Sequence, residues 1–476
     1  MSILRGRRRT KIVCTMGPAS AGEVLPRLLA AGMNVARLNF SHGTQDEHGA
    51  FILHLRETSA QLGLPVAILQ DLAGPKLRIG PVAGGAVALR QGQDFFLTLV
   101  PGVGGPQGVS VNYPEVIAET PVGAPILLKD GQIELRVESK TAETLHCRVV
   151  VDGELRSQVG LNFPKHTLSV PAFTAKDRED LRFGWEQGVD FVALSFVRSP
   201  QDILEARAFI RELGGDTPII AKIEKHEALE LLPDILDAAD GIMVARGDLG
   251  VEVPLEQVPL IQKEIIALAN RAGKPVITAT QMLLSMVDHP RPSRAEATDV
   301  ANAILDGTDA VMLSEETATG HYPVEAVKFL DRVSRVTEEH FPYAEWLRRR
   351  TPATRQDISE AISYAACEMA LELDAGAILT STHHGGTARL ISRFRPQAPI
   401  IGVTSRPETL RRLCLSWGVF PLLVPELRDT DHMLQVVTQE AVKAGMLTAG
   451  ERVVITAGAP IGVPGATNLI KADIVA

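Results

Sequence analysis

The runs PIIAKIE (218–224) and GIMVARGD (241–248) decide how this chain is read. Each is apolar along its length and ends in charge. Such a run, buried on both faces, reads as a strand of a parallel sheet. Strand side chains alternate, so Lys222 and Glu224 share one face at the end of the first run, and Asp248 ends the second. One ammonium and two carboxylates at neighbouring strand ends can hold a divalent cation beside a fixed positive charge. That equipment suits an anionic, phosphorylated substrate. The plainer reading is a structural ion pair at a barrel mouth.

Working outward, six more runs share this form: KIVCTMG (11–17), NVARLN (34–39), PVAILQD (65–71), FVALSF (191–196), PVITATQ (275–281) and AVMLSEE (310–316). Amphipathic stretches at 21–32, 200–213, 255–273 and 292–307 read as helices between them. Eight alternating units predict an α/β fold, a closed (β/α)8 TIM barrel. The regularity breaks after the third run. Residues 72–165 turn rich in Gly, Val and short alternating runs, which predicts an inserted small β-barrel domain placed as a lid. The barrel resumes with a helix over 174–188. From about 347 the pattern changes: 358–373 is helical, and 375–381, 398–405 and 452–458 are strand-like. The expected domains are therefore the barrel in two parts (1–71 and 166–346), the inserted lid (72–165) and a C-terminal α/β regulatory domain (347–476).

Composition narrows the class. A net charge of −9 gives no basic field for nucleic acid, so anionic ligands must be met by local arginines and lysines. The four cysteines show no metal-knuckle spacing, and a cytoplasmic location is expected. No apolar stretch reaches membrane-spanning length. RGRRRTK (5–11) has no apolar core after it, so it reads as a solvated arm rather than a secretory signal.

Active sites of such barrels lie at the C-terminal strand ends. There, Arg37, Asn39 and Ser41 fall on one face, and an arginine in a barrel mouth is a fork for phosphate oxygens. Asp71 ends the third strand. Thr280 ends the seventh and can donate a hydrogen bond or relay a proton. Gly247 beside Asp248 leaves backbone N–H groups for a carboxylate. Lys222 would stabilise charge on a transferring phosphoryl group and on an enolate left behind. No Walker-type loop and no HRD or DFG set is present, so a nucleotide must bind by another route.

RRTKIVCTMGPAS (8–20), NVARLNFSHGTQDEH (34–48), QDLAGPKLRIG (70–80), AKIEKHEAL (221–229), MVARGDLGVEVP (243–254), TATQMLLSM (278–286) and HPRPSRAEATDVANAILDGTDAVMLSEETATGHYPVEAV (289–327) resemble, in order, segments of the pyruvate kinase family. The resemblance runs over nearly the whole chain. It implies magnesium-dependent phosphate transfer from phosphoenolpyruvate to ADP, giving pyruvate and ATP, with manganese an alternative metal. It assigns the substrate phosphate to Arg37, transition-state stabilisation to Lys222, and the divalent metal to Glu224 and Asp248. It places the substrate carboxylate at Gly247, Asp248 and Thr280, with Thr280 near the proton given to the enolate. Asn39, His42 and Arg78 fall on the nucleotide side. A homotetramer in glycolysis is also implied.

Three departures stand out. The family holds potassium with an Asn, a Ser, an Asp and the next carbonyl. Here Asn39, Ser41 and Asp71 match, but Leu72 replaces a threonine and Lys76 a glutamate. The Lys76 ammonium is expected to replace the ion, so potassium is expected not to be required. Before GLNFPK (160–165), Gln158 and Val159 replace basic residues, leaving Arg156 or Lys165 as candidate nucleotide contacts. TSTHHGGTAR (380–389) resembles the family's effector-phosphate loop, with Thr382, Gly385 and Thr387 matching and His384 in place of a serine. A sugar-phosphate or AMP effector is expected there, with a plain interface loop as the alternative. Two rival functions, a magnesium-dependent lyase or aldolase and a non-catalytic binding protein, leave the inserted domain or the strand-end residues unexplained.

Overall fold

The computed structural model describes residue 4 and residues 6–164, 166–350, 357–459 and 467–476. Eight parallel strands close into a barrel: Lys11–Thr15, Val35–Asn39, Ala67–Asp71, Phe191–Leu194, Ile219–Ile223, Gly241–Ala245, Val276–Ala279 and Ala310–Leu313. The eighth closes on the first, with Lys11 opposite Ala310. Alternation sorts their side chains. Val13, Val35, Leu69, Ala193, Ile220, Met243 and Ile277 fill the lumen. Ile12, Cys14, Ala36, Ile68, Val192, Ala221 and Val244 pack outward against the helices. The same parity sends Arg37, Asp71, Ser195 and Lys222 toward the mouth.

Local chemistry fixes the helix starts. Thr44, Thr174 and Ser293 each accept a backbone N–H three residues on, and Glu47, Asp177 and Glu296 complete capping boxes.

The inserted segment forms a six-stranded sheet, in spatial order Leu161–Asn162, Pro125–Leu128, Ile133–Lys140, Thr144–Val151, Asp94–Thr98 and Gly108–Ser110. A two-stranded ribbon, Ala86–Leu89 with Gly153–Arg156, lies beside it. Leu89 and Leu155 of the ribbon share one core with Phe95, Ile126, Leu135 and Val149 of the sheet.

The C-terminal segment is a five-stranded sheet in the order Val419–Leu423, Ile400–Thr404, Ala377–Ser381, Arg452–Ala457 and Leu469–Ile474. The last strand runs antiparallel to its neighbour.

This sheet domain seals the N-terminal end of the barrel. Cys414 and Leu415 join the lumen core. Arg395, 1% exposed, donates to Asn270 Oδ1 (2.8 Å) and the Gly307 carbonyl (2.7 Å), and pairs with Asp309 (3.1 Å). The basic start corrects part of an expectation: Gly6 and Arg7 are exposed, but from Arg8 on it is not a solvated arm. Arg8, Arg9 and Lys11 are buried. Arg8 pairs with Asp331 at 3.0 Å, Arg9 Nη1 donates to the Tyr343 hydroxyl at 3.1 Å, and Lys11 donates to the Val419 carbonyl at 2.5 Å. Burial pulls the Lys11 ammonium down to about 8. Fixed acceptors on two domains make burying these cations possible.

Arg395→Ala should leave the buried Asp309 with backbone N–H donors but no cation and cost about 3–5 kcal/mol. Urea unfolding measures this; a loss below about 1 kcal/mol would show that the barrel seal does not depend on this pair.

Candidate active site

Asp71 is the electrostatic hub of the barrel mouth. One carboxylate oxygen accepts Arg37 Nε at 2.6 Å; the other lies 3.3 Å from Lys222 Nζ. Arg37 Nη1 donates to Thr15 Oγ1 at 2.9 Å, and Nη2 has no hydrogen-bond partner among the described residues. Lys222 Nζ lies 2.8 Å from Glu224 Oε1 and donates to Ser195 Oγ at 2.7 Å. Glu224 Oε2 accepts the Phe196 N–H at 2.7 Å. The Asp71 and Glu224 side chains are 1% exposed and those of Arg37 and Lys222 11%, so the carboxylates lie beneath cations that reach the mouth.

These fields set the protonation states. Burial opposes charge on Lys222, but Asp71 and Glu224 outweigh it and hold the ammonium above its ordinary value. Burial likewise works against the Asp71 carboxylate, yet Lys222 and Arg37 keep it below the usual range. Glu224 and Asp248 go the other way. Burial raises both, and the carboxylate of Asp248 adds to the rise of Glu224. Glu224 Oε1 is buried without a hydrogen-bond donor, its contact with Lys222 being an ion pair alone. Two buried, mutually repelling carboxylates fit a hard divalent cation such as magnesium or manganese. A second grouping, His226, Glu227 and Glu252, is less free, because Lys225 Nζ already sits 2.6 Å from Glu252 Oε1.

Two residues read as strand ends sit differently. Asp248 is not on a strand: the strand stops at Ala245, and Asp248 lies in the first turn of the helix Arg246–Glu252. Thr280 follows its strand with φ 67°, a left-handed conformation costly for a β-branched residue. Arg246 holds it there, donating to the Ala279 carbonyl at 3.1 Å and the Thr280 carbonyl at 2.7 Å while pairing with Asp299 at 2.7 Å. Thr280 Oγ1 in turn accepts the Gly247 N–H at 2.8 Å. That N–H, expected to be open, is occupied by a neighbouring hydroxyl.

Of the nucleotide-side expectations, Arg78 lines a cleft of about 260 Å³ between barrel mouth and inserted domain, whereas Asn39 and His42 are not among its lining residues. Lys76, Arg78, Asp130, Gln158, Phe196 and Asp248 line it. Arg78 donates to the Gln158 carbonyl at 3.2 Å. Burial, then Arg78 and Lys222, bring the Lys76 ammonium down to about 8. His42 is pushed down by burial and by the charges of Lys76, Arg78 and Arg37. Asn39 Oδ1 accepts the Ser41 N–H at 3.2 Å, just beyond the second strand, and the Leu72 carbonyl accepts Ser195 Oγ at 2.7 Å. Arg156 is absent from the cleft lining and pairs with Glu154 at 2.8 Å; Lys165 lies outside the described residues.

The loop with Thr382, His384, Gly385 and Thr387 belongs to the other end of the molecule. His384 lines a cavity of about 520 Å³ with Arg389, Arg412, Lys274, Asp216 and Asp240, beside the N-terminal ends of barrel strands. Thr387 Oγ1 shares a 2.9 Å hydrogen bond with Thr467. Residues 460–466 lie outside the described residues. Thr15, Ser195 and Arg246 are site residues that the strand-end reading passed over. For Ser195 the signal existed, since it follows Ala193 on the lumen side of its run.

Residues 7–327 match the family model "Pyruvate kinase, barrel domain", and 360–472 match "Pyruvate kinase, alpha/beta domain". The chain is 48% identical over 473 residues to a pyruvate kinase of Geobacillus stearothermophilus, covering 98% of this chain and 81% of that protein. It is 50% identical over 474 residues to pyruvate kinase 2 of a Synechocystis strain, covering 98% and 79%. A pyruvate kinase of Bacillus licheniformis is 47% identical over 472 residues, covering 98% and 80%. With both domain models matched and near-complete coverage at such identity, the chain belongs to the pyruvate kinase family.

Proposed function

We propose that this chain is a phosphotransferase that moves the phosphoryl group of phosphoenolpyruvate to ADP, giving pyruvate and ATP. The observation that carries the reading is the buried Lys222 ammonium held among Asp71, Glu224 and Ser195 beside Arg37. Arg37 offers its free Nη2 to the substrate phosphate. Lys222 faces the phosphoryl group in flight and the enolate oxygen it leaves, where negative charge develops. Thr280 and the turn after Ala245 border the substrate carboxylate. The Thr280 hydroxyl, which accepts the Gly247 N–H and donates to the Ala279 carbonyl, would relay a proton to the enolate carbon through water. Glu224 and Asp248 would hold the divalent ion, which when bound supplies charge neutralisation for phosphoryl and carboxylate oxygens. The inserted domain acts as a lid over the nucleotide cleft, with Arg78, His42 and Asn39 on the nucleotide side.

Lys222→Met should lower kcat by about 10²–10³-fold and leave the KM for phosphoenolpyruvate within a few-fold. A coupled ATP-formation assay measures both. Equal loss of affinity and turnover would assign the lysine to ground-state binding.

Lys76 carries the monovalent charge that related enzymes take from potassium. It sits in the cleft with the charges of Asp71 and Asp248 in reach. Its ammonium is present below about 8 and lost above it. Activity at pH 7 should therefore need no added potassium. In potassium-free buffer, kcat/KM should fall as pH rises through about 8, with added potassium restoring it. A near-total potassium requirement at pH 7 would refute this.

The Thr382–Thr387 loop is proposed to bind the phosphate of a sugar phosphate or of AMP, within a homotetramer. Titration calorimetry with glucose 6-phosphate and AMP should show binding that Thr382→Ala with Thr387→Ala abolishes. Unaltered binding would exclude the loop.

A further inference from the structure

Three groups surround the Lys222 ammonium: the carboxylates of Glu224 and Asp71, and the hydroxyl of Ser195. We propose that Ser195 is a positioning residue for phosphoryl transfer, its hydroxyl supplying the third anchor that fixes where the Lys222 ammonium rests against the two carboxylates. This rests on the reading of Lys222 given above.

The hydrogen-bond arithmetic orients the hydroxyl. Ser195 Oγ has one proton and two nearby acceptors, the Leu72 carbonyl at 2.7 Å and Asp71 Oδ1 at 3.4 Å. The shorter and stronger bond takes the proton. A lone pair is then left facing Lys222 Nζ, which donates to it at 2.7 Å. The bond is buried, Ser195 being 2% exposed.

The serine itself cannot drift. A Cβ at Gly74 would meet Ser195 Cβ at 3.1 Å and Phe196 Cδ2 at 2.8 Å, so the loop packs tightly on the serine. The next residue, Phe196, has φ 55° and gives its N–H to Glu224 Oε2 at 2.7 Å. Two of the lysine's anchors, Ser195 and Glu224, are thereby tied through one peptide unit. Lysine carries its charge on a flexible four-carbon stem, so its ammonium goes where its partners pull it. With the hydroxyl gone, both remaining pulls come from carboxylates. A displacement of about 1 Å at a reacting centre costs on the order of 10²-fold in rate.

The test is a double-mutant cycle of Ser195→Ala and Lys222→Met. Ser195→Ala alone should lower kcat about 10–10²-fold, with the KM values for phosphoenolpyruvate and ADP within about threefold. In the Lys222→Met background it should change the residual kcat by less than about twofold, because it acts only through the lysine. Should Ser195→Ala fold poorly, Ser195→Cys keeps a similar volume with a thiol that accepts poorly, and should show the same kcat loss. Equal losses in both backgrounds, a loss confined to KM, or wild-type kcat for both serine variants would overturn the proposal while leaving the role of Lys222 intact. Near-wild-type turnover of Lys222→Met alone would overturn that role and the proposal with it.

Discussion

A lysine ammonium buried against two carboxylates governs this molecule. Burying such a charge is unfavourable unless its partners are close and its hydrogen bonds complete. Lys222 has close partners of both kinds, a hydrogen bond to Ser195 at 2.7 Å and ion pairs with Glu224 at 2.8 Å and Asp71 at 3.3 Å. Asp71 also serves Arg37 at 2.6 Å, so one carboxylate sets the place of both cations at the barrel mouth. An apolar cluster of equal volume would stabilise the barrel at least as well. Keeping this arrangement at the mouth is a cost borne for chemistry, and it draws the same compromise from its surroundings.

The backbone shows that compromise. Phe196, Thr280 and Gln281 have φ values of 55°, 67° and 55°, and all follow lumen strands at the C-terminal end. Each conformation is costly for a side chain with a Cβ. Phe196 is held by its N–H to Glu224, and Thr280 by the Arg246 guanidinium on its carbonyl. Side chains of one strand end thus fix the main chain of another. The carboxylate that pairs with Lys222 also shapes the loop that carries the next residue.

The barrel was legible because its physics is local. Runs such as IIAKI and GIMVA are apolar on both faces, and their alternation put Lys222 in the lumen without knowledge of any neighbour. Positions set by tertiary contacts were not. The helical turn at Asp248 and the left-handed Thr280 depend on Arg246 reaching the next strand's end. The basic start looked solvated because burial of Arg8, Arg9 and Lys11 needs acceptors from distant elements, Asp331, Tyr343 and the Val419 carbonyl among them. The strand Val419–Leu423 contains Pro421, which hides a sheet edge from a propensity reading. Leu469–Ile474 mixes exposed Lys471 and Asp473 into its run, as an edge strand allows.

The same electrostatics bears on Lys76. Asp71 and Asp248 draw its ammonium in, while Arg78 and Lys222 push against it and burial takes away water. The outcome, a lysine brought down to about 8, is what placing a third cation beside two others must produce. A dissolved ion in such a place would bring its charge at any pH but would have to be captured from solvent. A lysine is always present at the site, yet its charge depends on the proton. Exchanging one for the other therefore trades a dependence on salt for a dependence on pH, and the crowding of Lys76, Arg78 and Lys222 brings that dependence close to neutrality.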